Sequence, residues 1–220
     1  MPLYRHDAEF AALPSETLDA WRAIPPAIAS DCMNRAQAMG AQVKPLATGT
    51  RLAGQARTIA CMAGDNMAIH AAMRLIRAGE VLVVAAGGHT GVALFGGLLA
   101  QSAQARGVAG LITDGAVRDV AEIREMGFAC FAAGVTPAGP HKGFGGTIDG
   151  VISCGGCPVV PGDIVLGDDD GVAVVPLARA GHLLAECQAK IAQEEAALAR
   201  LANDELLADQ MGIPEPENLG

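Results

Sequence analysis

The sequence predicts an α/β fold, and three observations carry that expectation. From residue 51 to residue 134, apolar runs alternate with helix-like stretches, the pattern of parallel strands joined by crossover helices. Residues 147–176 are then broken by Gly-Gly, Pro-Gly and Asp-Gly, which predicts short antiparallel hairpins. Residues 177–202 form one long stretch rich in Ala and Glu, with no breaker inside it except near its start, and this predicts a C-terminal helix.

The elements follow in order. "PSETLDAWRAI" reads as a helix with Ser15 as N-cap, and "PAIASDCMNRAQAMG" as a second helix stopped by Gly40. "RLAGQARTIACMAG" reads as a strand. "GDNMAIHAAMRLIRAGE" reads as a helix with Met67, Ala71, Leu75 and Ala78 along one face and Asp65 near its positive end. "EVLVVAA" is apolar throughout, as expected of a strand buried on both faces. A helix over about 92–106, the strand "VAGLIT", the helix "RDVAEIREMG" and the strand "FACFAAG" complete the alternation. "VTPAGPHKGFGG" is a long loop, and the tail "MGIPEPENLG" is expected to be loose or docked on a neighbouring subunit.

Composition narrows the function classes. A chain of 220 residues is long enough to bury a core, which must come mainly from Ala, Val, Leu and Ile because 51% of residues are hydrophobic but only 3% aromatic. The whole chain, 1–220, is expected to form a single domain, with a helical N-terminal segment over about 1–45 and the C-terminal helix and tail over about 177–220. A formal net charge of -9 and no Lys/Arg cluster exclude a general nucleic-acid binder. "MPLYRHDAEF" has no apolar run of the signal-peptide kind. Residues 81–105 carry no Asp, Glu, Lys or Arg, but "AAGGHTG" interrupts them; they read as strand, loop and helix rather than a membrane span. A cytoplasmic protein is expected.

Two places carry chemistry. "AAGGHTGVALFGGLLA" has neither the dinucleotide nor the P-loop spacing, nor an S-adenosylmethionine-type motif, but it opens a helix, whose free N–H groups favour an anion. In "TDGAVRDV", Arg118 and Asp119 stand side by side where a strand gives way to a helix. An Arg can hold a carboxylate or enolate, and an Asp is a hard oxygen ligand for Mg²⁺. If "VLVVAA" and "VAGLIT" are parallel neighbours, both places fall on one rim of the sheet, where α/β folds bind ligands. Other motifs read as structure: Cys154 and Cys157 of "CGGC" flank a hairpin turn, "DDDG" is a turn without calcium-loop spacing, and His70 and His182 fall in helices. His89 and His141 lie in Gly-rich loops within reach of a substrate.

The stretches "GDNMAIHAAM", "GGLLAQSAQARGVAGLITDGAVRD", "GVTPAGPHKG" and "PGDIVLGDDDGVAVVP", in that order over roughly residues 53–176, resemble the RraA-like family. That family joins 4-hydroxy-4-methyl-2-oxoglutarate/4-carboxy-4-hydroxy-2-oxoadipate aldolases with regulators of ribonuclease E activity. The resemblance implies a layered β/β/α fold of the swivelling-domain kind, assembled as homotrimers or homohexamers with sites between subunits. It implies that Asp119 binds Mg²⁺ or Mn²⁺ largely through water, and that Arg118 holds the pyruvyl oxygen. Backbone N–H groups of Leu98 and Leu99 would receive the substrate carboxylate, and Glu194 or Glu195 of a neighbouring subunit would complete the site. The expected activity is that of a lyase: metal-dependent cleavage of a 4-hydroxy-2-oxo acid to pyruvate through an enolate, with oxaloacetate decarboxylation as a side reaction. No Schiff-base lysine is expected of Lys44, Lys142 or Lys190. One departure stands out, because Gly97 occupies a position where the family's aldolases carry Asp or Glu, and His89 or Asp65 is the candidate replacement. The alternatives are a non-catalytic regulator that binds a ribonuclease and a relative acting on a different 2-oxo acid.

Overall fold

The computed structural model describes residues 2–219; Met1 and Gly220, the ends of the opening segment and of the tail, lie outside the described residues. The chain begins with a short strand, β1 (Leu3–Arg5), and two helices, α1 (Ser15–Arg22) and α2 (Pro26–Cys32). After a two-residue strand, β2 (Lys44–Pro45), comes the alternating unit: β3 (Leu52–Cys61), α3 (Met67–Ala72), β4 (Glu80–Ala85), β5 (Ala93–Phe95), α4 (Gly97–Ala105), β6 (Gly110–Val117), α5 (Val120–Glu125) and β7 (Ala129–Val135). The second half holds β8 (Gly146–Ile148), the hairpin β9 (Ile152–Cys154) and β10 (Cys157–Val159), and the hairpin β11 (Ile164–Asp168) and β12 (Gly171–Val175). The helices α6 (Ala180–Leu201) and α7 (Leu207–Gln210) close the chain.

The strands β3, β4, β6 and β7 pair in parallel, as the alternation predicts, while β8 and β11 add to β3 in the antiparallel sense. Strand β4 shows why its sequence carries no polar alternation. Leu82 and Val84 enter one core with α3, α4 and α5, and Val81 and Val83 enter a second core with the hairpins β9–β10 and β11–β12. Both faces are covered, and each fully buried side chain of this size contributes about 1.5–3 kcal/mol. A third core, built on Trp21, Ile164, Leu166 and Leu183, seats α1, α2 and α6 on the outer side of β11–β12. The layered α/β arrangement with antiparallel hairpins and a long C-terminal helix is the expected one.

Four local readings are corrected. Residues 93–95 are strand, not the start of a helix, because they pair with the end of β6 and the Ala93 N–H donates to Ala138 O at 2.8 Å. The second helix stops at Cys32 rather than near Gly40. Beyond it, Asn34, Arg35 and Gln37 take positive φ, and residues 37–39 bond to β12 through Val174 N to Gln37 O and Met39 N to Val172 O. Helix α3 ends at Ala72, where the expected helix ran on to about residue 80. Ser15 is the first helical residue rather than the cap, which is Pro14. No helix among the described residues is long and apolar enough to cross a membrane.

Candidate active site

The site begins with the way β6 ends. This strand runs past Thr113 to Val117, its register with β7 shifting between Thr113 and Ala116, and the Arg118 N–H then donates to Phe95 O at 2.9 Å. Asp119 follows with φ 57° and ψ 39°, the left-handed region, and α5 starts at the next residue. A non-glycine residue held there costs on the order of 1–3 kcal/mol, although Asp is among the more tolerant types. The strained residue turns the chain sharply and lays its carboxylate against the start of α4: Asp119 Oδ2 accepts the Gly97 N–H at 3.0 Å and lies 3.5 Å from Arg118 Nε. Oδ1 accepts no hydrogen bond among the described residues.

These groups open onto a pocket of about 280 Å³ between the start of α4, the β6–α5 junction and the loop after β7. Leu98 and Leu99 form one wall, and their N–H groups belong to the first turn of α4, which has no carbonyl partners upstream in the helix. The Arg118 guanidinium lies where Gly96 and Gly139 leave room for it; an added Cβ would come within 3.1 Å of its Nε at Gly96 and within 2.7 Å of its Nη1 at Gly139. Glu122, Lys142, His70 and Asn66 also line the pocket. Burial and the Lys142 cation hold the His70 imidazole below its ordinary pKa, so it is neutral at pH 7. Asn66 is buried; its Nδ2 donates to Leu94 O at 2.8 Å, and its Oδ1 has no partner among the described residues.

Lys142 is held at the pocket by a distant residue. The buried carboxylate of Asp65 accepts the N–H groups of Gly143 at 2.6 Å, Phe144 at 2.9 Å and Met67 at 2.8 Å, which pins the loop after β7 to the start of α3. Burial pushes the Asp65 pKa up, but these bonds, with the His141 charge, win and hold it below its ordinary value.

The donor set suits a hard cation. Asp119 and Glu122 supply carboxylate oxygens, and among the described residues no group of three or more His, Cys, Asp and Glu side chains closes around one point. A closed zinc centre is therefore not built among the described residues, whereas Mg²⁺ and similar ions are held by one or two carboxylates and keep several waters.

Of the residues singled out in the sequence, Arg118, Asp119, Leu98 and Leu99 come together at this pocket, and Gly97 opens α4 beside them. His89 does not line it; its N–H donates to Ala86 O at 3.3 Å in the loop after β4. Asp65 is spent on three backbone N–H groups, and within one chain neither residue lines the pocket. Glu194 and Glu195 lie on α6, which packs on α2, and Glu194 sits 3.4 Å from Lys190; within one chain they do not line the pocket. His70 and Lys142, set aside in the sequence, do line it. So do Asn66 and Glu122, which drew no notice there; Asn66 and His70 are four residues apart and share a helix face, a signal that was legible.

Other motifs are structural. Cys154 and Cys157 face each other across a hairpin; burial pushes the Cys157 thiol up to about 11 and Cys154 higher still, so neither is a ready nucleophile. "DDDG" forms the β11–β12 turn, with the Asp170 N–H donating to Asp168 Oδ1. A larger cleft of about 560 Å³ lies elsewhere, among Arg5, Phe10, Arg57 and Arg77. Its guanidinium groups are paired with Glu80 and Asp149, which leaves little charge to offer a ligand.

Known proteins agree with this architecture. The family model RraA-like (Aldolase/RraA) matches residues 19–174. A candidate 4-hydroxy-4-methyl-2-oxoglutarate aldolase of Halalkalibacterium halodurans is 35% identical over 188 residues, covering 86% of this chain and 89% of its own. The 4-hydroxy-4-methyl-2-oxoglutarate aldolase of Thermus thermophilus is 35% identical over 147 residues, covering 67% and 89%. Among solved structures, Streptomyces coelicolor RraAS2, described as an unusual member of the RNase ES inhibitor RraA protein family, superposes with a TM-score of 0.79 at 27% identity, covering 85% of this chain and 98% of its own. With the model spanning most of the chain and the same layered fold in its relatives, this protein belongs to the RraA-like family.

Proposed function

We propose that the chain is a metal-dependent lyase that cleaves a 4-hydroxy-2-oxo acid, of the 4-hydroxy-4-methyl-2-oxoglutarate class, to pyruvate. The observation that carries this reading is the junction of Arg118 and the left-handed Asp119 with the first turn of α4 in one pocket. The N–H groups of Leu98 and Leu99 receive the substrate's C1 carboxylate, where the helix end favours negative charge. Arg118 donates to the C2 keto oxygen. As the C3–C4 bond breaks, its electron pair moves toward that oxygen and gives the pyruvate enolate, and the preorganised guanidinium stabilises the charge. The C4 hydroxyl loses its proton as it becomes the carbonyl of the second product, the neutral His70 imidazole on the pocket wall takes it, and C3 of the enolate takes up a proton in turn, from that imidazolium or from water, to give pyruvate. Mg²⁺ or Mn²⁺, held by Asp119 largely through water, would supply Lewis-acid stabilisation of the enolate oxygen. Oxaloacetate loses CO₂ through the same enolate and is the expected side substrate. Asn66 Oδ1, a buried acceptor, offers a partner to a substrate hydroxyl.

The reading includes a homotrimer, or a hexamer of paired trimers, in which a carboxylate of a neighbour's α6, Glu194 or Glu195, reaches the pocket. Its support is apolar surface. Leu98 at the pocket rim is 82% exposed, and Leu198, Leu206, Leu207, Met211 and Ile213 are exposed along the C-terminal helices and tail. A single chain rarely leaves such groups to water unless they meet a partner.

The likeness to RraAS2 supports a second reading, a regulator that binds a ribonuclease through its surface. One experiment separates them: pyruvate release from 4-hydroxy-4-methyl-2-oxoglutarate and from oxaloacetate, with Mg²⁺ and with EDTA. Release that requires the metal carries the lyase reading. No release from either substrate by the folded oligomer overturns it and leaves the regulator to be tested by ribonuclease inhibition.

A further inference from the structure

We infer that Glu122 is the second carboxylate of the metal site, its side chain standing where one at Gly97 would stand. The inference rests on the lyase reading of the pocket and names one more residue of the same site. Glu122 stands in the first turn of α5, three residues after Asp119, and both line the pocket. Its carboxylate crosses to the start of α4. A Cβ built on Gly97 would lie 2.5 Å from Glu122 Cδ and 2.8 Å from its Oε1, with Oε2 nearer still. No side chain fits at position 97 while Glu122 holds this seat.

The carboxylate has one side-chain partner there. Gln101, one turn along α4, donates from Nε2 to Glu122 Oε1 at 2.6 Å. Oε2 accepts no hydrogen bond among the described residues, and Glu122 lines the pocket together with Arg118 and Asp119. One oxygen is thus anchored and the other is left for a cation or for water in its shell. In the same pocket Asp119 shows the same division, Oδ2 bonded to Gly97 N–H and Oδ1 free of such a bond. Two half-anchored carboxylates beside an Arg are a donor set for a hydrated divalent cation.

The test measures Mn²⁺ affinity of the full-length protein by electron paramagnetic resonance of free Mn²⁺, alongside Mn²⁺-dependent pyruvate release. Glu122→Gln keeps the shape and the Gln101 contact region but removes the charge, and should weaken Mn²⁺ binding about 10- to 100-fold. Gly97→Asp alone should leave binding close to wild type, since its own carboxylate takes the place of the Glu122 it displaces. The double variant Gly97→Asp/Glu122→Ala moves the carboxylate from α5 to α4 and should recover most of what Glu122→Ala loses. That rescue is an outcome a merely structural role for Glu122 would not produce. Unchanged Mn²⁺ affinity in Glu122→Gln, while Asp119→Asn loses it, overturns the inference and leaves the lyase reading standing. Weakened affinity with rescue, in a protein that releases no pyruvate, supports the carboxylate and overturns the lyase reading instead. A wild-type protein that binds no Mn²⁺ overturns both.

Discussion

The Gly97 amide donates to Asp119 Oδ2 at 3.0 Å, so a single hydrogen bond joins the helix end that offers N–H groups to an anion with the residue that turns β6 into α5. Asp119 makes this contact from a left-handed backbone, which separates what its backbone does from what its side chain does. Glycine takes that conformation freely. In Asp119→Gly the relief of strain and the lost hydrogen bond nearly offset, so the melting temperature should stay within about 5 °C of wild type. Metal-dependent pyruvate release should fall at least about 100-fold. A folded variant that keeps full activity would remove Asp119 from the chemistry, and one that unfolds would show that the lost hydrogen bond outweighs the relief of strain.

Arg118 is expected to act through the shape of its guanidinium as well as its charge. Arg118→Lys keeps the cation but loses the planar fork, and kcat should drop about 100-fold or more. Gly139→Ala gives a second, independent measurement. The added methyl would meet Nη1 at 2.7 Å, so it should displace the guanidinium and lower kcat while thermal stability is retained. Steady-state kinetics and a melting curve on the two variants check both statements.

The strands that support the site were legible because burial on both faces leaves a simple signature, an apolar run without alternation, as in β4. The adjacency of Arg118–Asp119 to the Gly-rich segment was also legible, since parallel pairing of β4 and β6 sends both chain ends to one rim. Strand β5 was not. Ala93, Leu94 and Phe95 suit a buried helix as well as a buried strand, and only pairing with β6 decides between them. Lys142 was hidden for a different reason. Its arrival at the pocket depends on Asp65 gripping Gly143, 78 residues away in the chain, and no local pattern encodes that contact. The Glu122 side chain, from the next helix, lies where a side chain at Gly97 would lie, a contact that the sequence does not display.

Lys142 predicts a preference for substrates with two carboxylates. Arg118 and the α4 end account for one anionic group; Lys142, on the same pocket, is placed for the other. Lys142→Met should raise KM for 4-hydroxy-4-methyl-2-oxoglutarate about tenfold, the equivalent of about 1.4 kcal/mol. For a 4-hydroxy-2-oxo acid lacking the second carboxylate, KM should change little. Equal effects on both substrates would assign Lys142 to the pyruvyl end instead.

Asp65 ties stability to pH in a direction that can be worked out. Its folded-state pKa lies below the ordinary value of 3.8, so the unfolded chain takes up the proton first as pH falls. The contribution of Asp65 is then fully present above about pH 4 and is lost progressively as pH falls through the lower, folded value. Asn at this position keeps the shape but replaces one carboxylate oxygen with a donor, facing N–H groups that need acceptors. Asp65→Asn should therefore lower stability by about 2–4 kcal/mol at pH 7. Its stability should also decline less steeply than wild type below pH 4. Urea unfolding at pH 7 and again between pH 4 and pH 2.5 measures both. Because the same carboxylate holds the loop that brings Lys142 to the pocket, the variant should raise KM for the dicarboxylic substrate as well. A normal KM in a destabilised protein would show that the loop keeps its place without Asp65.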